Sequence, residues 1–189
     1  MLLKNLINNL PEKKKNIVVT GLSTNSKNVK KGHIFFAIKG SSFNGNKFIK
    51  EAVKKGASVI VTSNNFKSKS KKIFTIKRKN IRNLVSEVSS RFYDQKPKNI
   101  IAITGTNGKT SVADLFYQIL SLNNVPAASI GTLGVKYNNK IIKTGLTSPD
   151  TISIHKYLQK LKENKIDNVI IETSSHGLSQ YRIHHINFK

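Results

Sequence analysis

The sequence predicts an α/β protein in two parts, a small N-terminal α/β domain followed by the first part of a mostly parallel-sheet domain. Short β-rich runs alternate with segments of helical apolar spacing along the 189 residues, as is typical of α/β folds. The polar segment "YDQKPKN" interrupts this alternation, and Pro97 biases Lys96 away from the helical conformation. A chain of this length accommodates one domain and part of another. We therefore expect domains over residues 1–96 and 97–189.

The first domain is expected to contain four strands and two helices. Its strand candidates are short runs rich in Ile, Val and Phe, whereas its helix candidates repeat apolar residues every three or four positions. Gly56 directly follows the first helix candidate, where a glycine commonly ends a helix. The predicted strands cover 17–20, 34–38, 58–62 and 73–76, and the predicted helices cover 48–55 and 81–93.

The second domain begins with a strand, a glycine-rich loop, a helix and a further strand, which together predict a parallel crossover unit. The stretch "VKYNNKII" predicts a hairpin with Asn-Asn at its turn, and Asp150 can cap a following helix. The series stops at Lys189 with fewer strands than a doubly wound sheet requires, so we expect the chain to be truncated. The predicted strands cover 100–103, 127–130 and 168–171, and the predicted helices cover 110–122 and 151–163.

The chain is strongly basic, with 33 lysines and arginines against nine acidic residues and a formal charge of +24. Such an excess raises nucleic acid as a possible partner. The lysines, however, are spread along the whole chain and interleaved with asparagine rather than with aromatic residues that could stack on bases. We expect weak, salt-sensitive binding to polyanions and no specific nucleic-acid partner.

The lack of cysteine excludes disulfides and thiolate metal sites, as expected in a reducing cytoplasm. In the opening stretch "MLLKNLINNLPEKKK", Lys and Asn interrupt the apolar positions, so neither a signal peptide nor a membrane span is predicted. The expectation is a cytoplasmic, monomeric protein without a membrane partner.

The stretch "NIIAITGTNGKTSVADLF", residues 99–116, has the features of a phosphate-binding loop. In a P-loop, backbone N–H groups surround the phosphates, a lysine reaches the β/γ oxygens and a hydroxyl binds Mg²⁺. Gly105 and Gly108 allow close backbone approach. Lys109 is the candidate phosphate lysine, and Thr110 is the candidate Mg²⁺ ligand. Because Ile103 occupies the first glycine position of the strict pattern, an ordinary glycine turn is the alternative interpretation.

A second Mg²⁺ ligand is expected at the end of a neighbouring strand. In "NVIIETSSH", Glu172 lies where an apolar run meets a hydroxyl-rich turn. Alone, such an acid is more often a helix cap or a solvated charge, but beside a P-loop metal binding is the favoured interpretation. These features predict an enzyme that binds a nucleoside triphosphate and Mg²⁺, without identifying the reaction.

Four stretches narrow the choice of reaction. They are "TGTNGKTS" at 104–111, "GLTSPD" at 145–150, "ETSSHGLSQYRI" at 172–183 and "STNSKNVKKGHIFFAIKGSSFNGNKFI" at 23–49. Together they resemble the Mur ligase family, and within it the MurE type that acts on UDP-N-acetylmuramoyl-L-alanyl-D-glutamate. The resemblance covers essentially the whole chain. It implies an N-terminal domain that binds the UDP-linked substrate, followed by the first part of a P-loop ATPase domain.

The resemblance implies an ATP-dependent amide-bond ligase of peptidoglycan synthesis. ATP would phosphorylate the D-glutamate carboxylate of the UDP-linked substrate. The amine of a diamino acid, meso-diaminopimelate or L-lysine, would then displace phosphate from the acyl phosphate. Because a carboxylate is a poor electrophile, the phosphate supplies a leaving group, while Lys109 as the catalytic cation and Mg²⁺ would neutralise charge.

The family motifs also imply which residues form the site. Thr110 and Glu172 would bind Mg²⁺. Asn25 stands where the family usually has aspartate, and we expect His176 to be a hydrogen-bonded turn residue or a neighbour of the metal site. The residues implied for ATP are Gly105, Thr106, Asn107, Gly108, Lys109, Thr110 and Ser111. Those implied for the UDP-linked substrate are Thr24, Ser26, Ser41, Ser42, Phe43, Thr147, Ser148, Ser174, Gln180 and Arg182.

Alternatives to this assignment remain open. The chain could belong to another ligase of the superfamily, such as MurF, MurD or a folylpolyglutamate synthetase, or could be a P-loop nucleotide-binding module without ligase activity. A basic nucleic-acid-binding module is a third, more distant possibility. The family's carbamylated lysine and C-terminal domain would lie beyond Lys189, so we expect no turnover from this chain alone.

Overall fold

The computed structural model describes residues 1–40, 44–66, 73–144 and 149–189. It divides into two compact units, Met1–Phe92 and Tyr93–Lys189, and the division falls at the start of the polar segment "YDQKPKN". Each unit contains a sheet with parallel strands and helices that follow those strands. The prediction of an α/β fold is therefore confirmed.

The first unit is built on a four-stranded sheet in the order β1-β2-β3-β4, in which every neighbouring pair is parallel. One hydrophobic cluster joins Phe35 and Ile60 of the sheet to Ile49 and Ala52 of the first helix. This cluster explains why the helix needs apolar residues three positions apart. The strands are β1 Gly21–Ser23, β2 His33–Phe36, β3 Val59–Thr62 and β4 Phe74–Lys77, and the helices are α1 Ile49–Lys54 and α2 Ile81–Phe92.

One predicted strand of this unit is wrong. Residues 17–20 lie outside the sheet, where Val18 is 59% exposed and forms an isolated bridge with Leu2. The strand begins instead at Gly21, which pairs with His33 of β2. A Cβ atom on Gly21 would lie 2.5 Å from the imidazole of His33, so a glycine permits this close pairing. The strand depends on a contact between distant residues, which the local apolar pattern does not reveal.

The second unit contains a five-stranded sheet in the order β5-β9-β6-β7-β8. The strands β5, β9 and β6 are parallel, whereas β6, β7 and β8 form antiparallel pairs. None of the helices that the structure describes, including the 14-residue α3, is long and apolar enough to cross a membrane. The strands are β5 Asn99–Ile103, β6 Ala127–Gly131, β7 Gly134–Tyr137, β8 Lys140–Ile142 and β9 Asn168–Glu172, and the helices are α3 Lys109–Leu122, α4 Thr151–Glu163 and α5 Ser175–Ser179.

Two local predictions in this unit are confirmed. Asn138 and Asn139 form the two-residue turn between β7 and β8 with φ values of 46° and 57°, as a type I′ turn requires. Asp150 caps α4, because its Oδ1 accepts a hydrogen bond from the backbone N–H of Ser153 at 3.1 Å. Both signals act within a few residues, so the sequence alone specifies them.

Candidate phosphate-binding and metal site

The glycine-rich loop joins the end of β5 to the start of α3, and its residues 104–108 are exposed. Gly105 and Gly108 have φ angles of 143° and 80°, which side chains disfavour. Gly108 directly precedes α3, and no side chain in the described part of the chain caps this end of the helix. The first backbone N–H groups of α3 are therefore available as donors to an anion.

Lys109 begins α3, and its side chain folds back over the loop. Its Nζ donates hydrogen bonds to the carbonyl oxygens of Gly105 at 2.5 Å and Thr106 at 3.0 Å. The ammonium group thus lies beside the loop backbone, where phosphate oxygens could replace the two carbonyl acceptors. Asn107 and Ser111, which lie two residues before and after Lys109 in the sequence, are exposed.

Glu172 ends β9, the central one of the three parallel strands. Its neighbour in register on β5 is Ile103, the last strand residue before the glycine-rich loop. The residue is only 2% exposed, and its Oε2 accepts a hydrogen bond from the Thr110 hydroxyl at 2.9 Å. The carboxylate and the hydroxyl that the sequence analysis selected as metal ligands therefore lie in direct contact.

A third residue, Thr132, was missed by the sequence analysis. Its backbone N–H donates to Glu172 Oε1 at 3.1 Å, and its hydroxyl donates to Oε2 at 3.1 Å. These two hydrogen bonds fix both oxygens of the carboxylate in one orientation. Thr132 follows β6 directly, so its position at the carboxyl end of a parallel strand was the signal that could have identified it.

Gly131 provides the space for this carboxylate. A Cβ atom at this position would lie 2.0 Å from Glu172 Oε1 and 2.3 Å from Cδ, far inside van der Waals contact. The residue lies in β6, which pairs with β9 through Ile130 and Ile171. Position 131 therefore requires a glycine, because the buried Glu172 side chain of the neighbouring strand lies so close to it.

The donor set at this position suits Mg²⁺. Glu172, Thr110 and Thr132 bring carboxylate and hydroxyl oxygens together, which are the ligand atoms that Mg²⁺ prefers. Among the described residues, no group of three or more His, Cys, Asp or Glu side chains could hold a metal ion by itself. Mg²⁺ that is bound together with substrate phosphates typically has only a few protein ligands, as at this position beside the phosphate-binding loop.

An ion pair attaches α3 to the sheet. Lys136 of β7 donates to Asp114 Oδ1 at 2.5 Å, and Gln118 donates to Asp114 Oδ2 at 2.7 Å. The hydrogen bond from Lys136 is the main reason that the pKa of Asp114 lies below its usual value. This contact fixes the helix that carries Lys109 and Thr110.

Three candidate substrate residues follow β9. The Ser174 hydroxyl caps α5 by accepting from the Gly177 N–H at 3.1 Å. Arg182 donates through Nη2 to Gln180 Oε1 at 2.9 Å. His176 is exposed and lies within α5 rather than in a turn, and its carbonyl oxygen accepts from the Gln180 N–H at 3.0 Å at the end of that helix. The structure thus brings Gln180 and Arg182 together and gives Ser174 a structural role as a cap.

The first unit holds two described candidates for binding the UDP-linked substrate. Thr24 is exposed after β1. Ser26 is 5% exposed and donates to Glu51 Oε2 at 2.7 Å, and this hydrogen bond is the main cause of a lowered pKa at Glu51. Because the Ser26 hydroxyl donates its proton to Glu51, its oxygen could still accept a hydrogen bond from a ligand. The candidates Ser41, Ser42, Phe43, Thr147 and Ser148 lie outside the described residues.

His155 of α4 is fully buried, and its ring nitrogens make no hydrogen bond of normal geometry with the described residues, although the backbone of His184 lies close enough to act on the ring as a hydrogen-bonding group. Burial lowers its pKa to about 3, and the positive charge of Lys96 acts in the same direction. The backbone of His184 opposes this shift, whereas the charge of His185 adds to it. The imidazole is therefore neutral at physiological pH.

The parallel sheet, the glycine-rich loop between β5 and α3, and the contact between Thr110 and Glu172 define a protein of the P-loop class. Residues 18–95 match the Mur ligase family catalytic domain, and residues 103–189 match the Mur ligase middle domain. The chain belongs to the Mur ligase family.

Curated relatives are similar over most of this chain. The chain is 44% identical over 171 residues to the UDP-N-acetylmuramoyl-L-alanyl-D-glutamate–2,6-diaminopimelate ligase of Rickettsia bellii (strain RML369-C), covering 87% of this chain and 34% of that protein. It is 38% identical over 173 residues to the ligase of the same name from Aquifex aeolicus (strain VF5), covering 90% and 35%. The chain therefore spans about a third of the length of the curated relatives that it matches.

Solved structures share the fold. A UDP-N-acetylmuramoyl-L-alanyl-D-glutamate–2,6-diaminopimelate ligase superposes with a TM-score of 0.85 at 22% identity, over 100% of this chain and 39% of that chain. The MurF ligase from Thermotoga maritima in complex with ADP gives a TM-score of 0.55 at 23% identity, over 85% of this chain and 33% of that chain. At these identities the likeness concerns the fold alone.

Proposed function

We propose that this chain supplies the ATP-binding loop and part of the UDP-substrate site of an ATP-dependent amide-bond ligase of peptidoglycan synthesis. The ligase would join 2,6-diaminopimelate to UDP-N-acetylmuramoyl-L-alanyl-D-glutamate, the reaction in the names of the Rickettsia bellii and Aquifex aeolicus relatives. The observation that carries the proposal is the 2.9 Å contact between the Thr110 hydroxyl and Glu172 at the end of the glycine-rich loop.

The chemical task of the loop is to hold ATP so that its terminal phosphoryl group faces the carboxylate of the substrate. A carboxylate becomes a good acyl donor once a phosphate is attached, because phosphate can then leave when the amine attacks. The N–H groups of residues 105–111 and the ammonium of Lys109 would bind and neutralise the phosphates. Catalysis would thus consist of positioning and charge neutralisation.

Thr110 and Glu172 would hold Mg²⁺, with Thr132 keeping the carboxylate in orientation through two hydrogen bonds. When bound, Mg²⁺ neutralises negative charge on the phosphate oxygens. In the second unit, the Arg182 guanidinium held by Gln180 could bind a carboxylate or a diphosphate of the UDP-linked substrate. In the first unit, Thr24 and Ser26 would contact the uridine diphosphate.

Nucleotide binding to the chain tests the first half of this proposal. Isothermal titration with ATP and Mg²⁺ should give saturable binding, and Lys109→Met should weaken it roughly 10- to 100-fold, since hydrogen bonds to charged groups contribute about 1.5–3 kcal/mol. Lys140→Met, at an exposed position of β8, is the matched control and should leave the affinity unchanged. Equal effects of the two substitutions would contradict a specific role of Lys109.

Substrate titrations test the second half. The chain should bind UDP-N-acetylmuramoyl-L-alanyl-D-glutamate more tightly than UDP-N-acetylmuramoyl-L-alanine or a folate, and Arg182→Lys should reduce that preference because lysine cannot donate two parallel hydrogen bonds. A preference for folate would favour a folylpolyglutamate-type ligase. Nucleotide binding without any binding of a UDP-sugar would indicate a P-loop module of another function.

A further inference from the structure

The hydroxyl of Ser26 is held in one direction by a carboxylate of the first helix. Ser26 begins a short 3-10 helix, Ser26–Asn28, and Glu51 lies in α1. The Ser26 hydroxyl donates to Glu51 Oε2 at 2.7 Å, and this hydrogen bond is the main reason that the pKa of Glu51 lies below its usual value. At neutral pH Glu51 is therefore an ionised carboxylate, which accepts hydrogen bonds and cannot donate them. The Ser26 proton is thus fixed towards Glu51, and its oxygen presents only lone pairs to a ligand.

Lys55 occupies the other oxygen of the same carboxylate. Its Nζ lies 3.4 Å from Glu51 Oε1 and donates a hydrogen bond to the Lys27 carbonyl oxygen at 2.8 Å. The ammonium group therefore links α1 to the segment that carries Ser26. The two oxygens of Glu51 face different partners, a hydroxyl at Oε2 and a cation at Oε1.

The segment around Ser26 is also fixed by its own hydrogen bonds. The Ser23 hydroxyl donates to the Asn25 carbonyl oxygen at 2.7 Å and accepts from the Asn25 N–H at 3.1 Å. Asn25 Oδ1 accepts from the Lys27 N–H at 2.9 Å. Ser26 itself is only 5% exposed, so little water is available to replace a missing hydrogen bond. A ligand atom of the wrong polarity at this oxygen would therefore be strongly disfavoured.

We propose that Glu51 is a positioning residue that selects uracil over cytosine, because it makes the Ser26 hydroxyl an obligate acceptor for the N3–H group of the base. This inference rests on the proposed function, in which Ser26 contacts uridine diphosphate. Within that ligand the ribose hydroxyls both donate and accept, and the diphosphate is disfavoured beside an ionised carboxylate. The N3–H group of uracil donates only. In cytosine N3 carries no proton, so two lone pairs would face each other.

The substitution Glu51→Gln should reverse the polarity of Ser26. Because the Lys55 ammonium can only donate, the amide oxygen of glutamine should stay beside it, which places the amide NH₂ beside Ser26. That NH₂ would donate to the Ser26 oxygen, and the hydroxyl proton would become free to donate to a ligand. The variant should therefore bind a base with an acceptor at position 3 at least as well as uracil.

Titrations with UDP and with CDP test the proposal. Chemical shifts followed by NMR measure both dissociation constants even where binding is weak. The unmodified chain should bind UDP roughly tenfold or more tightly than CDP, and in Glu51→Gln the preference should fall to about one or reverse. Ser26→Ala should also lose the preference. Adding Glu51→Gln to Ser26→Ala should then change the ratio no further, because the positioning residue acts through Ser26.

The matched control is Glu87→Gln in α2. Glu87 forms an ion pair with Arg91, four residues further along its helix, at 2.7 Å, so this substitution also removes one charge and one ion pair from the first unit. It should keep the preference of the unmodified chain, whereas a merely structural role of Glu51 would make the two substitutions alike in their UDP to CDP ratio.

Equal binding of UDP and CDP by the unmodified chain, or an unchanged preference in Glu51→Gln, would overturn the proposal. Titration with UDP-N-acetylmuramoyl-L-alanyl-D-glutamate separates this inference from the proposed function. Binding of that substrate without a preference for UDP over CDP would refute the role of Glu51 alone. Failure to bind any uridine compound would refute both.

Discussion

Among individual residues, Glu172 combines burial with hydrogen bonds from Thr110 of α3 and from Thr132, which follows β6. The Thr110 hydroxyl and the Thr132 hydroxyl both donate to Oε2, and the Thr132 N–H donates to Oε1. A carboxylate at 2% exposure is stable only where its negative charge is compensated by hydrogen bonds or by a cation. The local arrangement therefore fits a carboxylate whose negative charge binds a cation.

The substitution Glu172→Gln tests whether the negative charge of this residue binds Mg²⁺. It retains the shape of the side chain but removes the negative charge, so Mg²⁺ should no longer strengthen nucleotide binding. We expect the ratio of ADP affinities measured with Mg²⁺ and with EDTA to fall towards one. Glu163→Gln, on the exposed face of α4, is the matched control and should keep the ratio of the unmodified chain. An unchanged ratio in Glu172→Gln would exclude a Mg²⁺ role for this acid.

Gly131 offers a second test at the same scale. Because an added Cβ would lie 2.0 Å from Glu172 Oε1, Gly131→Ala should displace the carboxylate and reduce the Mg²⁺ effect on nucleotide binding as Glu172→Gln does. Gly134→Ala is the control in the same hairpin, since its Cβ would instead meet the Ile142 carbonyl oxygen at 2.4 Å. Gly134→Ala should destabilise the sheet while preserving the Mg²⁺ effect. Loss of the Mg²⁺ effect in Gly134→Ala but not in Gly131→Ala would contradict this role of Gly131.

Elements differ in how far the sequence specifies them. The helix over 151–163 agrees with α4, because the Asp150 cap and the apolar spacing both act locally. The strand predicted over 17–20 is wrong, because β1 depends on the approach of Gly21 to His33 across the sheet. Local signals were sufficient where a helix or turn is formed by neighbouring residues, and insufficient where a distant strand supplies the partner.

The candidate site follows the same division. The loop residues and Glu172 could be selected because a glycine-rich loop and an acid at a strand end are recognisable patterns. Thr132 and Gly131 were not selected, because their importance comes from the pairing of β6 with β9, and two strands and a helix separate β6 from β9 in the chain. The strand order, which the sequence analysis did not derive, brings these residues together.

Helix α4 carries a buried histidine, which makes the stability of the second unit dependent on pH. His155 has a pKa of about 3 in the folded chain against 6.5 when unfolded, so the unfolded state binds more protons between these values. Its contribution to stability is present above pH 6.5 and is lost as the pH falls. Between pH 7 and pH 5 the loss should be about 2 kcal/mol.

Urea denaturation followed by tyrosine fluorescence measures this loss, because all five tyrosines lie in the second unit and the chain has no tryptophan. His155→Leu should remove most of the difference in unfolding free energy between pH 7 and pH 5. The exposed His176 provides the control substitution His176→Leu, which should retain the difference. An equal pH dependence in the unmodified chain and in His155→Leu would show that other groups cause it.

For the whole molecule, the positive charge is unevenly divided between the two units. Residues 1–92 contain 21 of the 33 lysines and arginines and three of the nine acids, a formal charge of +18. Residues 93–189 contain the other 12 lysines and arginines and the other six acids, a formal charge of +6. Since self-repulsion grows with net charge and opposes the compact state, the first unit should be the more sensitive to ionic strength.

Salt should therefore stabilise the two units to different extents. Raising NaCl from about 20 to about 200 mM shortens the screening length from roughly 20 Å to below 10 Å, so repulsion between exposed lysines such as Lys50 and Lys54 weakens. The thermal midpoint of the first unit should rise more than that of the second. It is measured by far-UV circular dichroism after subtraction of the transition that the tyrosines report for the second unit. Replacing Lys50 and Lys54 by glutamine should reduce the rise, whereas Lys140→Gln and Lys156→Gln in the second unit should not. A larger rise in the second unit would mean that local ion pairs, rather than net charge, govern the response to salt.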